Sequence, residues 1–283
     1  MKRETRTYQA VDGLTLVADT WGDPSAQPVI LLHGGGQTRH AWGSTGEALA
    51  GKGFYAISLD QRGHGESDWH SGGDYRFECY VEDLKVVVES LEKQPALVGA
   101  SLGGLVSLMF EGMFYPGSAR ALVLVDVTPK LDRQGVQRIV DFMTAHPEGF
   151  ASIEEAAQAV REFLPHRPPP RDYSGLKKNL RLGEDGRYHW HWDPAFLEAA
   201  ARGARSSRIS ALAEAAKTLS VPTLLVRGRM SDVVSEEGAR EFLELVPHAE
   251  FVDVEDAAHM VAGDQNDRFA DAVIEFLERV CPH

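Results

Sequence analysis

The sequence predicts an α/β protein with a mostly parallel, doubly wound, eight-stranded sheet, interrupted by an inserted helical cap. Three observations predict it. Short continuous apolar runs such as Val29-Ile30-Leu31-Leu32 and Ala121-Leu122-Val123-Leu124-Val125 suit strands buried on both faces. Amphipathic helical patterns over 81–93, 102–114, 236–246 and 267–280 separate the later runs. From 129 to 216 the alternation stops, and only helical patterns remain, punctuated by Pro165, Pro168-Pro169-Pro170 and Gly183-Glu184-Asp185-Gly186.

Taken in order, the expected strands are 5–10, 13–20, 28–32, 54–59, 95–100, 121–127, 221–227 and 249–254. The first two are separated by Asp12-Gly13 and read as a hairpin. The boundaries that follow are a core of 1–128 and 217–283 and a helical cap of 129–216. A chain of 283 residues with 43% hydrophobic content has ample material for one such core. Its formal charge of −13 argues against nucleic acid or an anionic membrane as partner. No stretch approaches the ~20 apolar residues of a membrane span, and no apolar run follows the charged first residues. Cys79 and Cys281 are the only cysteines and support neither a disulfide framework nor a zinc site. These features together predict a cytoplasmic protein without a cofactor or metal; the oligomeric state is left open.

Ser101 lies in Gly99-Ala100-Ser101-Leu102-Gly103, immediately after one apolar run and immediately before a helical pattern. A strand turning that sharply into a helix needs glycines on either side of the turn, and it holds the serine hydroxyl above the sheet at a helix N-terminus. An activated serine needs a base, and the base needs an acid to orient it. His259 is the candidate base, because it follows the last expected strand and so lies at the same carboxyl edge as Ser101. Asp232, after the strand at 221–227, is the first candidate for the acid, although an acidic residue there also suits helix capping near Ser235. Asp126, at the end of the strand at 121–127, is its rival, and Asp253 and Asp256 are too close in sequence to His259 to orient it easily. The order Ser, Asp, His fits a serine elbow on such a sheet.

His33-Gly34-Gly35-Gly36 follows the strand at 28–32 and offers backbone N–H groups to a developing negative charge. Gly35 and Leu102 are the expected pair of oxyanion donors, with Gly34 and Gly36 as competitors that also border the substrate. Trp42 is expected either to line the acyl pocket or to pack beneath it. In Tyr188-His189-Trp190-His191-Trp192-Asp193-Pro194, an extended backbone places Trp190 and Trp192 on one face. They form either an aromatic wall for an apolar substrate or, as the favoured reading, a clasp fastening the cap to the core before a helix that starts at Pro194. No carboxylate or cysteine spacing makes a metal site of His189 and His191. Phe142, Met143 and Phe163 read as cap core.

Together with Asp60-Gln61-Arg62-Gly63-His64-Gly65-Glu66-Ser67, these segments resemble the α/β-hydrolase superfamily, specifically its branch of small esterases, haloperoxidases and carbon–carbon hydrolases. The resemblance implies that Arg62 and His64 belong to a structural turn. It implies a serine hydrolase acting on a small-molecule ester or lactone through an acyl-enzyme. Ser101 stands where epoxide hydrolases and dehalogenases carry aspartate, so those activities are not expected. Relatives often place a bulky residue after His-Gly; Gly35-Gly36 predicts an acyl side that is wider or more flexible. The alternatives are carbon–carbon hydrolysis, with Arg171 or Arg181 steering a carboxylate, perhydrolysis on the same residues, and a ligand-binding receptor on the same fold.

Overall fold

The computed structural model describes residues 2–165, 173–202, 206–255, 257–259 and 266–282. Ten strands are present in this range: β1 (Glu4–Gln9), β2 (Thr15–Trp21), β3 (Gln27–Leu32), β4 (Phe54–Leu59), β5 (Ala96–Ala100), β6 (Ala121–Val125), β7 (Leu180–Leu182), β8 (Tyr188–Trp190), β9 (Thr223–Gly228) and β10 (Glu250–Val254). The helices are α1 (Gly43–Gly51), α2 (Phe77–Glu89), α3 (Leu102–Met109), α4 (Arg133–Thr144), α5 (Ile153–Phe163), α6 (Ser174–Lys177), α7 (Pro194–Arg202), α8 (Ser206–Lys217), α9 (Glu236–Leu245) and α10 (Ala270–Val280). Eight strands form one sheet in the order β1-β2-β4-β3-β5-β6-β9-β10, with β2 antiparallel to both its neighbours and every other pairing parallel. All eight strands expected from the apolar runs are in this sheet.

The buried strands explain the continuous apolar runs. In β3, Ile30 and Leu32 face one core layer while Val29 and Leu31 face the other, and all four are at most 1% exposed. The first layer is closed by α2, α3, α8 and α9 through Val81, Leu84, Val106, Leu212 and Phe242; the second by α1 and α10 through Leu49, Val273 and Leu277. Burying each such side chain contributes about 1.5–3 kcal/mol, which explains why a sheet covered on both faces selects these residues.

Between β6 and β9 lies the insertion, made of α4 to α8 and one feature the sequence did not suggest. β7 and β8 pair antiparallel, Leu180 opposite Trp190, and form a separate two-stranded sheet. Three residues per strand are too few for periodicity to signal, and Gly183 to Gly186, read as a loop, is the turn that joins them. The helix expected at Pro194 is α7. Phe142, Met143, Trp190, Trp192 and Phe196 of the insertion continue the first core layer.

After β3 the chain moves to β4 on one side; β5 then pairs with the other side of β3. The strand order thus reverses between β3 and β5, and open α/β sheets bind ligands outside the carboxyl ends of the strands at such a point. The loop after β3 begins at His33, and the turn after β5 is Ser101.

Candidate active site

Ser101 occupies the turn between β5 and α3 with φ 45° and ψ −112°. Its N–H donates to Val125 O at 3.1 Å, and its carbonyl accepts from Leu105 at 3.0 Å, so the strained turn is held from both sides. The flanking glycines are sterically required: a Cβ on Gly99 falls 2.3 Å from Gly103 O, and one on Gly103 falls 2.5 Å from Leu32 O. The only other non-glycine residue with positive φ among those described is Asp126, at 49°. Both outliers therefore lie at the carboxyl ends of adjacent parallel strands, β5 and β6. Sparsely populated backbone conformations of this kind cluster at functional sites.

Asp126 is the carboxylate that meets His259. His259 Nδ1 lies 2.6 Å from Asp126 Oδ2, and the two residues are only 8% and 3% exposed. The carboxylate accepts the Nδ1 proton, which leaves Nε2 with a free lone pair, the tautomer a general base requires. Ser231 Oγ donates to the same Oδ2 at 2.8 Å, and the Gly228 N–H donates to Oδ1 at 3.1 Å.

This arrangement corrects the expectation for Asp232. Its side chain is 38% exposed and pairs with Arg138 of α4 at 3.0 Å, while its carbonyl lies against Gly135. The reason is local: the β9–α9 loop turns its serine inwards and its aspartate outwards, so the carboxylate beside His259 comes from the neighbouring loop after β6. Asp253 is likewise engaged elsewhere, with Arg227 at 3.0 Å. Asp256 lies outside the described residues. The sequence signal for Asp126 was an aspartate ending the apolar run of β6 at the carboxyl edge; nothing in the pattern singled out Ser231.

The glycine loop after β3 borders Ser101 directly, since a Cβ on Gly34 falls 3.3 Å from Ser101 Cβ. Gly34 is not an available donor: its N–H is bound to Gln37 Oε1 at 3.0 Å. Its carbonyl accepts from His33 Nδ1 at 2.8 Å and from the Gln37 N–H at 3.1 Å. The Gly35 and Leu102 N–H groups have no protein acceptor among the described residues, and Leu102 opens α3, where the first amides of a helix point outwards unpaired. Gly36 takes φ +77°, and its carbonyl accepts from His191 Nε2 at 3.1 Å.

Cap side chains fill the room that Gly35 and Gly36 leave. A Cβ on Gly35 falls 3.4 Å from Phe196 Cζ; one on Gly36 falls 3.0 Å from Met143 Cε and 3.4 Å from Trp192 Cζ3. The extra width expected at these two glycines is thus corrected, because Phe196, Met143 and Trp192 stand against them. Phe196, on the first turn of α7, was not anticipated. Trp42 is fully buried in the second core layer with Trp21 and Leu49, so it reads as packing rather than pocket lining. Trp190 and Trp192 stack with centroids 4.9 Å apart, are 6% and 3% exposed, and belong to the first core layer.

The segment Asp60 to Ser67 is a scaffold. Arg62 forms two bonds of 2.6 Å to Asp83 and one of 2.8 Å to Asp12. Asp60 accepts from the Arg39 guanidinium and from the N–H groups of Arg39 and Glu66. Gln61 clamps His33, its N–H donating to Nε2 at 3.0 Å and its side-chain amide to the His33 carbonyl at 2.6 Å. Burial holds His33 down to about 4 and His64 to about 3, so both stay neutral. Arg181 donates to the Gly65 carbonyl and covers Trp69 at 4.8 Å; Arg171 lies outside the described residues. Among the described residues no cluster of His, Cys, Asp and Glu is placed to hold a metal ion, and no helix is long and apolar enough to cross a membrane.

With fold and site in view, the chain can be placed: it belongs to the alpha/beta hydrolase fold family, whose profile it matches over residues 27–265. It is 32% identical over 257 residues to an esterase of Mycobacterium tuberculosis, spanning 87% of this chain and 80% of that one. It is 30% identical over 259 residues to a 3-hydroxybutyrate-oligomer hydrolase of Cupriavidus necator, spanning 84% and 85%. Among solved structures, an alpha/beta hydrolase from Novosphingobium aromaticivorans superposes with a TM-score of 0.82 at 27% identity, covering 98% of each chain. These relatives support a hydrolytic enzyme.

Proposed function

We propose that this chain is a serine hydrolase that cleaves small carboxylic esters or lactones. The observation that carries the reading is the 2.6 Å contact between His259 Nδ1 and Asp126 Oδ2, one strand over from the strained turn at Ser101. In this reading, Asp126 fixes the imidazole tautomer and stabilises the imidazolium as it forms. His259 Nε2 takes the Ser101 proton as Oγ attacks the carbonyl carbon. The oxyanion is received by the Gly35 and Leu102 N–H groups, each worth roughly 3–4 kcal/mol to the transition state. Collapse expels the alcohol, protonated by His259, and leaves an ester on Ser101. Water, deprotonated by the same imidazole, then attacks that ester and releases the acid. The segment 129–216 acts as the cap, with Phe196, Met143 and Trp192 bounding the space over the glycine loop.

The relatives support ester chemistry through their names as an esterase and as a hydrolase of hydroxybutyrate oligomers. The test is the intact mass of the wild type and Ser101→Ala after fluorophosphonate treatment, alongside turnover of short nitrophenyl esters. One adduct on the wild type alone, with turnover lost in the variant, is expected. Equal labelling of both proteins, or of neither, overturns the reading.

A further inference from the structure

Three consecutive glycines carry the loop after β3, so no side chain of Gly34, Gly35 or Gly36 can hold its shape. The bonds that fix it come from elsewhere. Gln37 and His33 secure Gly34. Gly36 is secured from the insertion, by His191.

His191 is 2% exposed, and each ring nitrogen has one main-chain partner from a different core loop. Nδ1 lies 2.7 Å from the Gly65 N–H, which can only donate. Nδ1 is therefore the acceptor, and in the neutral ring the proton sits on Nε2, aimed at the Gly36 carbonyl. Burial keeps the imidazole neutral, holding its pKa well below the ordinary histidine value. The ring is itself fastened by main chain: the His191 N–H donates to Asn179 O at 3.1 Å, and Trp69 Nε1 donates to the His191 carbonyl at 3.2 Å. Next to it the Asp193 N–H donates to Gly63 O at 2.9 Å, so the segment after β8 is stitched along the whole turn at 63–65.

We infer that His191 is a positioning residue for the oxyanion site: its Nε2–H holds the Gly36 carbonyl and so fixes the loop that presents the Gly35 N–H to the reacting carbonyl. This inference rests on the hydrolase reading given above. It gives the histidine of Trp190-His191-Trp192 a role in catalysis exercised from the cap. A well-docked cap then sets the oxyanion donor, and a displaced cap releases it. A loop misplaced by about 1 Å costs on the order of 100-fold in rate.

Two variants separate this role from simple packing. In His191→Gln the side-chain amide reaches as far as Nε2 and keeps the bond to Gly36 O while giving up the one to Gly65. In His191→Asn the carboxamide oxygen replaces Nδ1 and keeps the bond to Gly65 while giving up Gly36. The expected result is that the Asn variant loses kcat by about 10- to 100-fold with KM little changed, while the Gln variant stays within about threefold, at matched thermal midpoints. Hydrogen exchange in the peptide spanning 33–42 should quicken in Asn but not in Gln. On the wild type at pH 7, 15N-histidine spectra should place the His191 proton on Nε2, a readout that needs no variant to fold. Equal kcat losses in the two variants, unchanged exchange in Asn, or a proton on Nδ1 overturns the inference. Exchange and tautomer need no substrate, so their failure counts against His191. Wild-type protein that neither turns over esters nor takes the fluorophosphonate counts against the hydrolase reading.

Discussion

Ser231 Oγ stands 2.8 Å from Asp126 Oδ2, the same oxygen that faces His259 Nδ1 at 2.6 Å. Two loops thus converge on the His259 imidazole. The loop after β6 carries the carboxylate, and the loop after β9 carries the hydroxyl that steadies it. Ser231 is itself fixed, because its Oγ accepts from the Val233 and Val234 N–H groups at 3.2 and 3.1 Å. Ser231→Ala should lower kcat about tenfold and cost about 1 kcal/mol of stability, the usual net worth of one such bond. Ester turnover and a urea melt check it; unchanged kcat would show that Gly228 alone holds the acid.

The two aspartates make a sharper contrast. Asp126→Asn keeps the shape but presents His259 with the wrong tautomer, and a loss of about 10⁴-fold in kcat is expected. Asp232→Asn breaks only a half-exposed ion pair with Arg138 and should leave kcat within about twofold, with at most about 1 kcal/mol of stability lost. Reversal of that order in a nitrophenyl ester assay would falsify the assignment of the acid.

Phe196 sits where a bulky loop residue would otherwise stand, 3.4 Å from a Cβ on Gly35. Phe196→Leu should relax the limit on the acyl group, raising the ratio of kcat/KM for hexanoate over acetate esters by about 10-fold, within the range one or two methylenes command. A ratio that does not move places Phe196 outside the acyl pocket.

Acid should destabilise the protein through its buried histidines. His33 and His64 titrate near 4 and 3 when folded, below the ordinary value near 6.5, so unfolding takes up protons. Their contribution is complete above about pH 6.5 and is lost as pH falls towards the folded values, by about 3 kcal/mol apiece at pH 4. Calorimetric midpoints recorded from pH 7.5 to 4.5 should therefore fall steadily below 6.5. A flat profile over that interval means the two imidazoles are not buried neutral.

Much of this was legible in the residues because the physics was local. Strands such as Val29 to Leu32, buried on both faces, announce themselves as apolar runs, and the Ser101 turn is framed by glycines that sterics demand. The position of His259 followed from counting strand ends. The carboxylate that meets His259 was harder, since Asp126 and Asp232 both follow strands at the carboxyl edge of the same sheet, and only the rotation of one loop decides which faces inwards. Trp42 was ambiguous for a similar reason: it shares its core layer with side chains as far off in sequence as Phe269 and Val273. Phe196 and His191 act across the insertion, on Gly35 and on Gly36 and Gly65, and no pattern in a single chain encodes such partners.

The strand order has a consequence for how activity is lost. The imidazole is reached through β10, the outermost strand, which has β9 as its one neighbour and leaves Phe251 and Val252 40% and 36% exposed. Arg227 and Arg279 rivet it through Asp253 and Glu250, yet an edge strand with little cover opens before a core does. Ser101 and Asp126 hang from β5 and β6 in the interior. Heating should accordingly draw His259 away from Ser101 and Asp126 while those two keep their places, so that a site built on all three falls silent while its sheet is still standing.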